Sequence, residues 1–381
     1  MTATKLFNEF FHSEKSGGIV LIVCTIASLL LSNSGLQSAY LGIWDFSIAD
    51  HNVAHWIDDG LMAIFFLLVG LELEREVYIG ELSTPRKAML PLMAALGGMV
   101  LPALLHFLFN KGTITQPGAG IPMATDIAFA LAVLSLLGNR IPISLKIFLT
   151  ALAVIDDLGA ILVIAIFYTS SIDWYNLAIS LGTFGLLLVL NRLKIMNLIP
   201  YLIGGVVMWY FMLHSGVHAT ISGVLLAFAI PFGNGDEHST SYKLQRSLHI
   251  PVAFIILPLF ALSNTAVVIP QDWIHGLVEM NSIGIFVGLV VGKPMGIFLF
   301  SYVSSRLKFT SLPPEMRWID VFGVGVLGGI GFTMSIFVTL LAFDDARLID
   351  QSKIAIMISS LVAGTVGYFI LRSGRNQHRP G

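Results

Sequence analysis

Two adjacent carboxylates, Asp156 and Asp157, lie inside an otherwise apolar run from Ile147 to Tyr168. A helix crosses a bilayer with about 20 apolar residues, and this run is long enough to do so. A charged side chain near the bilayer centre costs at least about 2.5–3.5 kcal/mol on insertion scales. Acids kept at that cost typically mark the path of an ion or a proton, so this pair is a candidate transport site.

The composition of the whole chain points to a membrane protein. Of the 381 residues, 56% are hydrophobic and 12% are charged, whereas soluble domains carry about 25% charged residues. The net charge of −2 gives no basic surface for nucleic acid. A single cysteine, Cys24, excludes an intrachain disulfide. We therefore predict an all-α polytopic membrane protein, not an enzyme, with no cofactor.

Apolar spans fill most of the chain, and we interpret residues 1–381 as one domain without a linker. We count twelve predicted transmembrane helices, at about 17–33, 55–78, 88–109, 114–137, 142–168, 173–190, 196–213, 217–231, 248–270, 281–304, 320–343 and 352–372. Basic residues concentrate in the connections that follow the even-numbered spans and in the C-terminal tail: Arg75, Arg86, Lys87, Arg140, Arg192, Lys194, Lys243, Arg246, Arg306, Lys308, Arg317, Arg372, Arg375 and Arg379. Because basic loops stay in the cytoplasm, we expect both termini there, in a bacterial inner membrane.

Three ionisable side chains lie at one depth in three different spans: Asp126, Asp156 and Lys293. Asp126 and Asp156 are each 14 residues from a cytoplasmic flanking residue, and Lys293 is 13 residues from one. The flanking residues are Arg140, Pro142 and Arg306. These separations correspond to roughly 20 Å in a helix. This places the three side chains near the middle of a hydrocarbon core about 30 Å thick. Charges retained for unrelated structural reasons would have no cause to agree in depth.

The two adjacent acids point about 100° apart on a helix, so they serve different partners. We predict that one binds a permeating cation while the other pairs with Lys293, the one Lys or Arg at that depth. The alternative is a salt bridge that only holds helices together. That alternative leaves one acid of the pair, and Asp126, without a partner.

Two spans are poor helices near mid-depth. Glycines and prolines cluster in the fourth and the eleventh span: Pro117, Gly118, Gly120 and Pro122, then Gly323, Gly325, Gly328, Gly329 and Gly331. Each is the middle span of a trio, about 88–168 and 281–372, and the two trios enter the membrane from opposite sides. Inverted-topology repeats with two interrupted helices crossing at mid-membrane are typical of transporters. Asp126 would offset the N-terminal ends of the half-helices and Lys293 the C-terminal ends.

The connection at about 34–54 is predicted to be an external hairpin or loop. Residues 41–49 alternate, with Trp44, Phe46 and Ile48 on one side and Asp45 and Ser47 on the other. Period-two patterning favours a short strand or hairpin. An ordinary loop is the alternative.

Six short motifs follow in order along the chain: 65–72 (FFLLVGLE), 124–129 (ATDIAF), 154–157 (VIDD), 215–220 (SGVHAT), 292–294 (GKP) and 329–335 (GIGFTMS). In these motifs the chain resembles the bacterial NhaA sodium/proton antiporter family. The resemblance implies twelve helices with an inward-facing funnel, and electrogenic exchange of Na+ or Li+ for H+ that rises at alkaline pH. It implies that Asp157 is the chief ion-binding carboxylate, beside Asp156, with Thr125 and Asp126 at the helix crossing and Lys293 pairing with Asp156.

The resemblance also implies residues that set the pH response: Glu72, Arg75, Glu76, His218 and His249. For the first three, spaced i, i+3 and i+4, the alternative is a surface ion cluster. For His218 it is a structural histidine in a packed helix. At Gln245 and Arg246 the chain departs from the family pattern, so neither the midpoint nor the steepness of the pH response is implied.

Two other classes of membrane protein, proteases and symporters, agree less well with the sequence. An intramembrane aspartyl protease needs acids on separate spans, in contexts that Asp156 and Asp157 lack. A sodium-coupled symporter of a small solute is the main alternative, although no surplus of buried polar groups indicates an organic-substrate pocket. The expected partners are Na+, Li+ and H+ as transported ions, the lipid bilayer, and a second copy of the chain in a homodimer.

Overall fold

A computed structural model describes residues 3–138, 141–169 and 171–376. Arg140 and Arg379, two of the residues used for the orientation, lie outside the described residues. The first half of the chain forms helices α1 Ala3–Ser32, α2 Gln37–Asp45, α3 Val53–His55, α4 Met62–Tyr78, α5 Pro85–Asn110, α6 Ile127–Ser135, α7 Ile143–Phe167, α8 Trp174–Arg192 and α9 Ile199–Leu213. The second half forms α10 Ile221–Ala229, α11 Thr240–Pro251, α12 Leu257–Asn264, α13 Trp273–Leu277, α14 Met280–Val287, α15 Lys293–Arg306, α16 Trp318–Gly328, α17 Phe332–Ala342 and α18 Ala346–Asn376.

Several helices are joined by tighter or wider turns rather than by loops. A 3₁₀ segment at Gln116–Met123 precedes α6. Wider π-helical turns continue one α-helix into the next: Trp56–Leu61 between α3 and α4, Val252–Ile256 between α11 and α12, and Gly288–Gly292 between α14 and α15. π-helical turns are rare and often lie at functional sites, and the last of these leads directly into Lys293.

Seven helical stretches of the described chain are long and apolar enough to cross a membrane: Pro85–Asn110, Gln116–Ser135, Ile143–Phe167, Trp174–Arg192, Thr240–Asn264, Met280–Arg306 and Ala346–Ser373. Two bent pairs raise the number to nine: Ser16–Ser32 with Gln37–Asp45, and Trp318–Gly328 with Phe332–Ala342. Helices α4, α9 and α10 have 17, 15 and 9 residues, fewer than the ~20 of a full span. The chain is a multi-pass helical membrane protein, and twelve crossings stay a prediction.

The predicted strand at 41–49 is wrong over its first half, because α2 extends to Asp45. The rings of Tyr40 and Trp44 pack edge to face at 5.7 Å, four residues apart, and the Tyr40 hydroxyl donates to Ser28 of α1 at 2.8 Å. These contacts hold the segment helical despite its alternation. Strand pairing is limited to β1 Ser47–Ile48 and β2 His51–Asn52, which are antiparallel.

Helices α5 and α15 are in close contact in the interior. A Cβ at Gly97 would collide with the carbonyl of Gly296, so the two backbones touch where these glycines meet. Around them lies the main apolar core, in which Phe337 packs against Phe66 and Phe260 with ring centroids 5.5 and 6.3 Å apart. The glycine contact holds α15, and with it Lys293, against α5, and both helices contribute to the core through Ala94 and Ile297.

Candidate functional site

Helix α7 carries the two predicted acids into the protein interior. Asp156 and Asp157 are 0% and 1% exposed. Oδ2 of Asp156 lies 3.1 Å from Nζ of Lys293 and accepts the Thr125 hydroxyl at 2.8 Å. The structure therefore brings Asp156, Lys293 and Thr125 together in one buried network.

Lys293 is the first residue of α15 and is fully buried. Besides contacting Asp156, its ammonium donates to the carbonyl of Met123, at the end of the 3₁₀ segment. The C-terminal end of a helical segment carries partial negative charge, which a cation offsets. The amine thus divides its donors between a carboxylate and an unwound backbone carbonyl.

Each acid of the pair presents one carboxylate oxygen, Oδ1, to the protein interior. Within the described residues, Oδ1 of Asp157 and Oδ1 of Asp156 are buried and have no hydrogen-bond partner. Buried polar atoms without a partner are rare and need a reason. Carboxylate oxygens left open beside a hydroxyl and unwound carbonyls are suitable ligands for a hard cation, or sites for a proton.

Asp126 holds the start of two helices. Its Oδ1 accepts the backbone N–H of Phe129 at 2.9 Å, which caps α6. Its Oδ2 accepts the N–H and the hydroxyl of Thr333, at 3.1 and 2.5 Å, in the first turn of α17. A negative charge at two helix N-termini offsets their partial positive charge, which accounts for this buried acid.

The breaks of the fourth and eleventh predicted spans contact each other. In the fourth, non-helical residues 124–126 separate the 3₁₀ segment from α6, and in the eleventh the chain bends by 48° between α16 and α17. Four hydrogen bonds involve these breaks: Asp126 N to Ile330 O at 2.7 Å, Thr125 Oγ1 to Gly328 O at 3.0 Å, Ser335 Oγ to Ile121 O at 2.7 Å, and Phe332 N to Ser360 Oγ at 3.1 Å. The acids and Lys293 therefore lie beside two joined helix breaks.

The residues implied in the pH response lie in separate places. On α4, the Arg75 guanidinium lies 5.0 Å from the centroid of the Tyr242 ring, and Glu76 accepts the N–H of Glu81 at 2.8 Å. Glu72 is one turn earlier on the same helix. His218 instead contacts the carbonyl of Tyr168 at 3.0 Å, at the C-terminal end of α7. His249 lies in α11, just before a π-helical turn.

The sequence did not indicate every group at the site. The Met123 carbonyl is a backbone atom and has no signature in the sequence. Thr333 and Ser335 lie in the 329–335 motif, directly after the glycines of the second break, but their type and spacing did not indicate their partners, Asp126 and Ile121. Ser360 comes from α18, and only the fold brings it there.

A multi-pass helical protein with buried acids and an amine at two joined helix breaks belongs to the class of secondary ion transporters. The sequence model of the family described as Na+/H+ antiporter 1 matches residues 8–371. The chain belongs to this family.

Two bacterial proteins are similar to this chain over nearly their whole length. A protein of Flavobacterium psychrophilum named Na(+)/H(+) antiporter NhaA is 64% identical over 372 residues, 98% of this chain and 97% of that protein. One of Cytophaga hutchinsonii with the same name is 60% identical, over 98% and 96% of the two chains. The solved sodium proton antiporter MjNhaP1 of Methanocaldococcus jannaschii, at pH 8, has a TM-score of 0.51 at 16% identity, over 96% and 100% of the two chains. At that identity the likeness is one of fold alone.

Proposed function

We propose that this protein is a sodium/proton antiporter of the bacterial inner membrane that expels Na+ in exchange for protons. Membership of the Na+/H+ antiporter family supports the exchange. The observation that carries the assignment of the site is the open, buried oxygen of Asp157 beside the Asp156–Lys293 pair. Na+ and H+ compete for these oxygens, and exchange follows because one or the other occupies them.

Each residue has its own part in this mechanism. Asp157 is the chief carboxylate for Na+ or H+, and Asp156 joins it when Na+ binds. Lys293 holds Asp156 while no Na+ is present, so that the site never contains two uncompensated negative charges. Acids this close together titrate as a coupled unit. Thr125 and Asp126 keep the two helix breaks in place around the ion.

The architecture we propose has twelve transmembrane helices, with inverted repeats at about 88–168 and 281–372 whose interrupted helices cross at mid-membrane. The hydrogen bonds between the two breaks support the crossing. Rocking of one group of helices against the other then exposes the site to either side in turn. Both termini face the cytoplasm, which the distribution of basic residues supports.

The ion selectivity, the electrogenicity, the pH response and the oligomeric state in this proposal are supported only by the resemblance to the NhaA family. By it, Li+ replaces Na+, the exchange is electrogenic, and activity rises at alkaline pH through Glu72, Arg75, Glu76, His218 and His249. A homodimer joined near residues 34–54 is part of the same proposal. Family membership does not support the sodium-coupled symporter.

Everted membrane vesicles from cells without other antiporters test the function. The vesicles are energised, and NaCl, LiCl and KCl are added in turn at several pH values while a pH-sensitive dye is followed. Na+ and Li+ should restore the dye fluorescence, increasingly at alkaline pH, whereas K+ should not. An unchanged signal with every cation, in vesicles shown to contain the protein, would refute the antiporter assignment.

A further inference from the structure

Tyr168 ends α7, the helix of the acid pair, and its side chain reaches the 3₁₀ segment. The hydroxyl donates to the carbonyl of Pro117 at 2.6 Å and accepts the N–H of Gly120 at 3.2 Å. Helix α7 therefore contacts the segment that leads into the first break at two levels. The first contact is that of Tyr168 with the 3₁₀ segment. The second is that of Asp156 with Thr125, two residues after the segment, and it lies roughly 18 Å from Tyr168 along the helix.

Gly120 is the residue that permits this approach. A Cβ at that position would lie 2.6 Å from the Tyr168 hydroxyl oxygen and 3.3 Å from the ring carbon Cε2. The distance of 2.6 Å is shorter than real Cβ contacts, so any larger residue at position 120 would displace the Tyr168 hydroxyl. The glycine and the tyrosine are thus a matched pair.

The 3₁₀ segment depends on its neighbours for its position. It has eight residues, and runs of 3₁₀ helix beyond three or four residues are uncommon because their hydrogen bonds are poorly aligned. Three of its carbonyls accept from side chains of three different helices: Pro117 from Tyr168, Ile121 from Ser335 and Met123 from Lys293. The same short segment thus supplies an acceptor to the transport site and is held by Tyr168.

We propose that Tyr168 is a positioning residue for the transport site, an inference that rests on the proposed antiport function. Its hydroxyl fixes the 3₁₀ segment against α7, so that the Met123 carbonyl shares the Lys293 ammonium with Asp156. Without the hydroxyl, the segment pivots about the Thr125–Asp156 contact and Met123 withdraws. Lys293 then engages Asp156 alone, and Na+ must displace a tighter pair.

Tyr168→Phe removes the hydroxyl and keeps the ring. We expect the apparent KM for Na+ in everted vesicles to rise about threefold to tenfold, the effect of one hydrogen bond of ordinary strength. The rate at saturating Na+ should change less than twofold. Tyr201→Phe is the matched control, because the buried Tyr201 donates to the carbonyl of Ile195 at 3.0 Å in a different apolar cluster. It should leave the KM unchanged.

Gly120→Ala supplies a second, independent test. The added methyl should displace the Tyr168 hydroxyl and raise the KM in the same way. The double variant Gly120→Ala/Tyr168→Phe should raise the KM by less than the product of the single effects, since both changes remove one interaction. The single variant Gly120→Ala also decides the question if Tyr168→Phe lowers the amount of folded protein, because it keeps the tyrosine.

The possible results distinguish a failure of the positioning role of Tyr168 from a failure of the proposed antiport function. A parent protein that moves no protons on addition of Na+ contradicts the proposed function. A parent that is active, with Tyr168→Phe and Gly120→Ala at the parent KM, overturns only the positioning role. Equal KM changes in Tyr168→Phe and Tyr201→Phe would likewise overturn it, because that result signals a general loss of stability.

Discussion

The Asp156–Lys293 pair is fully buried, with both side chains at 0% exposure and 3.1 Å between their charged atoms. Removing one partner of such a pair leaves an uncompensated buried charge, which costs about 3–5 kcal/mol. Neutralising both partners together costs far less, because no charge remains to be desolvated. The pair therefore contributes to the stability of the fold, in addition to its proposed role in transport.

Lys293→Gln should lower the free energy of unfolding by about 3–5 kcal/mol. Combining it with Asp156→Asn should restore part of that loss. Thermal unfolding of the purified protein in detergent measures both effects. Lys87→Gln is the control, since its amine lies 3.7 Å from Glu81 with its side chain 58% exposed, and exposed pairs contribute at most about 1 kcal/mol. Equal losses in Lys293→Gln and Lys87→Gln would contradict this account of the pair.

The sequence indicated the charged groups of the site, and the resemblance implied Thr125, but neither indicated the backbone partners. Asp126, Asp156 and Lys293 stand out because charge inside an apolar run is expensive. The carbonyls of Met123 and Gly328 have no signature in the sequence, because every residue has a carbonyl. Only the fold decides which carbonyls are available to accept from side chains such as Lys293 and Thr125. The assignment of ion-binding roles to Asp156 and Asp157 stays a prediction.

At the scale of elements, glycine has two different uses in this chain. Glycine and proline cluster in the fourth and eleventh predicted spans, where the structure has a 3₁₀ segment at Gln116–Met123 and a 48° bend between α16 and α17. Interrupted helices that cross at mid-membrane stay a prediction. A single glycine such as Gly97 instead allows α5 and α15 to touch, and its partner Gly296 was visible only in the fold. The strand predicted at 41–45 was also wrong because of a contact that only the fold shows. The hydrogen bond from α2 to α1 favours a helix there, although apolar and polar residues alternate along the segment.

Gly97→Ala should separate α5 from α15, because the added methyl meets the Gly296 carbonyl and lies 2.8 Å from Cβ of Phe300. Overpacking of this kind costs about 1–3 kcal/mol, and it should also move Lys293 and reduce exchange. Gly182→Ala on α8 is the control, because a Cβ there meets nothing within 4 Å and alanine favours the helix. Thermal unfolding and dye-based exchange are measured for both. Equal stability of the two variants would disprove the tight contact.

Across the whole molecule, many helices expose large apolar side chains on the outer surface. Helix α8 buries little of its surface inside the protein, although it is long and apolar enough to cross a membrane. Such a face requires lipid or a second copy of the chain around it. The composition alone predicted that lipid surrounds the protein. The number of crossings also depends on short helices such as α10, which are too short to be identified as spans by counting apolar residues.

The proposed orientation has a direct test, since Cys24 is the one cysteine in the chain. In a Cys24→Ser background, Asn234→Cys and Asp50→Cys place single thiols at exposed positions in different connections. A membrane-impermeant maleimide should label position 234 in everted vesicles and position 50 in right-side-out vesicles. The opposite pattern would reverse the orientation, and labelling of both from one side would contradict the predicted number of crossings between them.

In the proposed mechanism, Na+ and H+ compete for the carboxylates of Asp156 and Asp157. Proton release on addition of NaCl to the purified protein, in weakly buffered detergent solution, measures that competition without any transport. The parent should release protons in proportion to the Na+ bound, and Asp157→Asn, if folded, should release none. Na+ binding without proton release by the parent, or undiminished release by Asp157→Asn, would contradict the account.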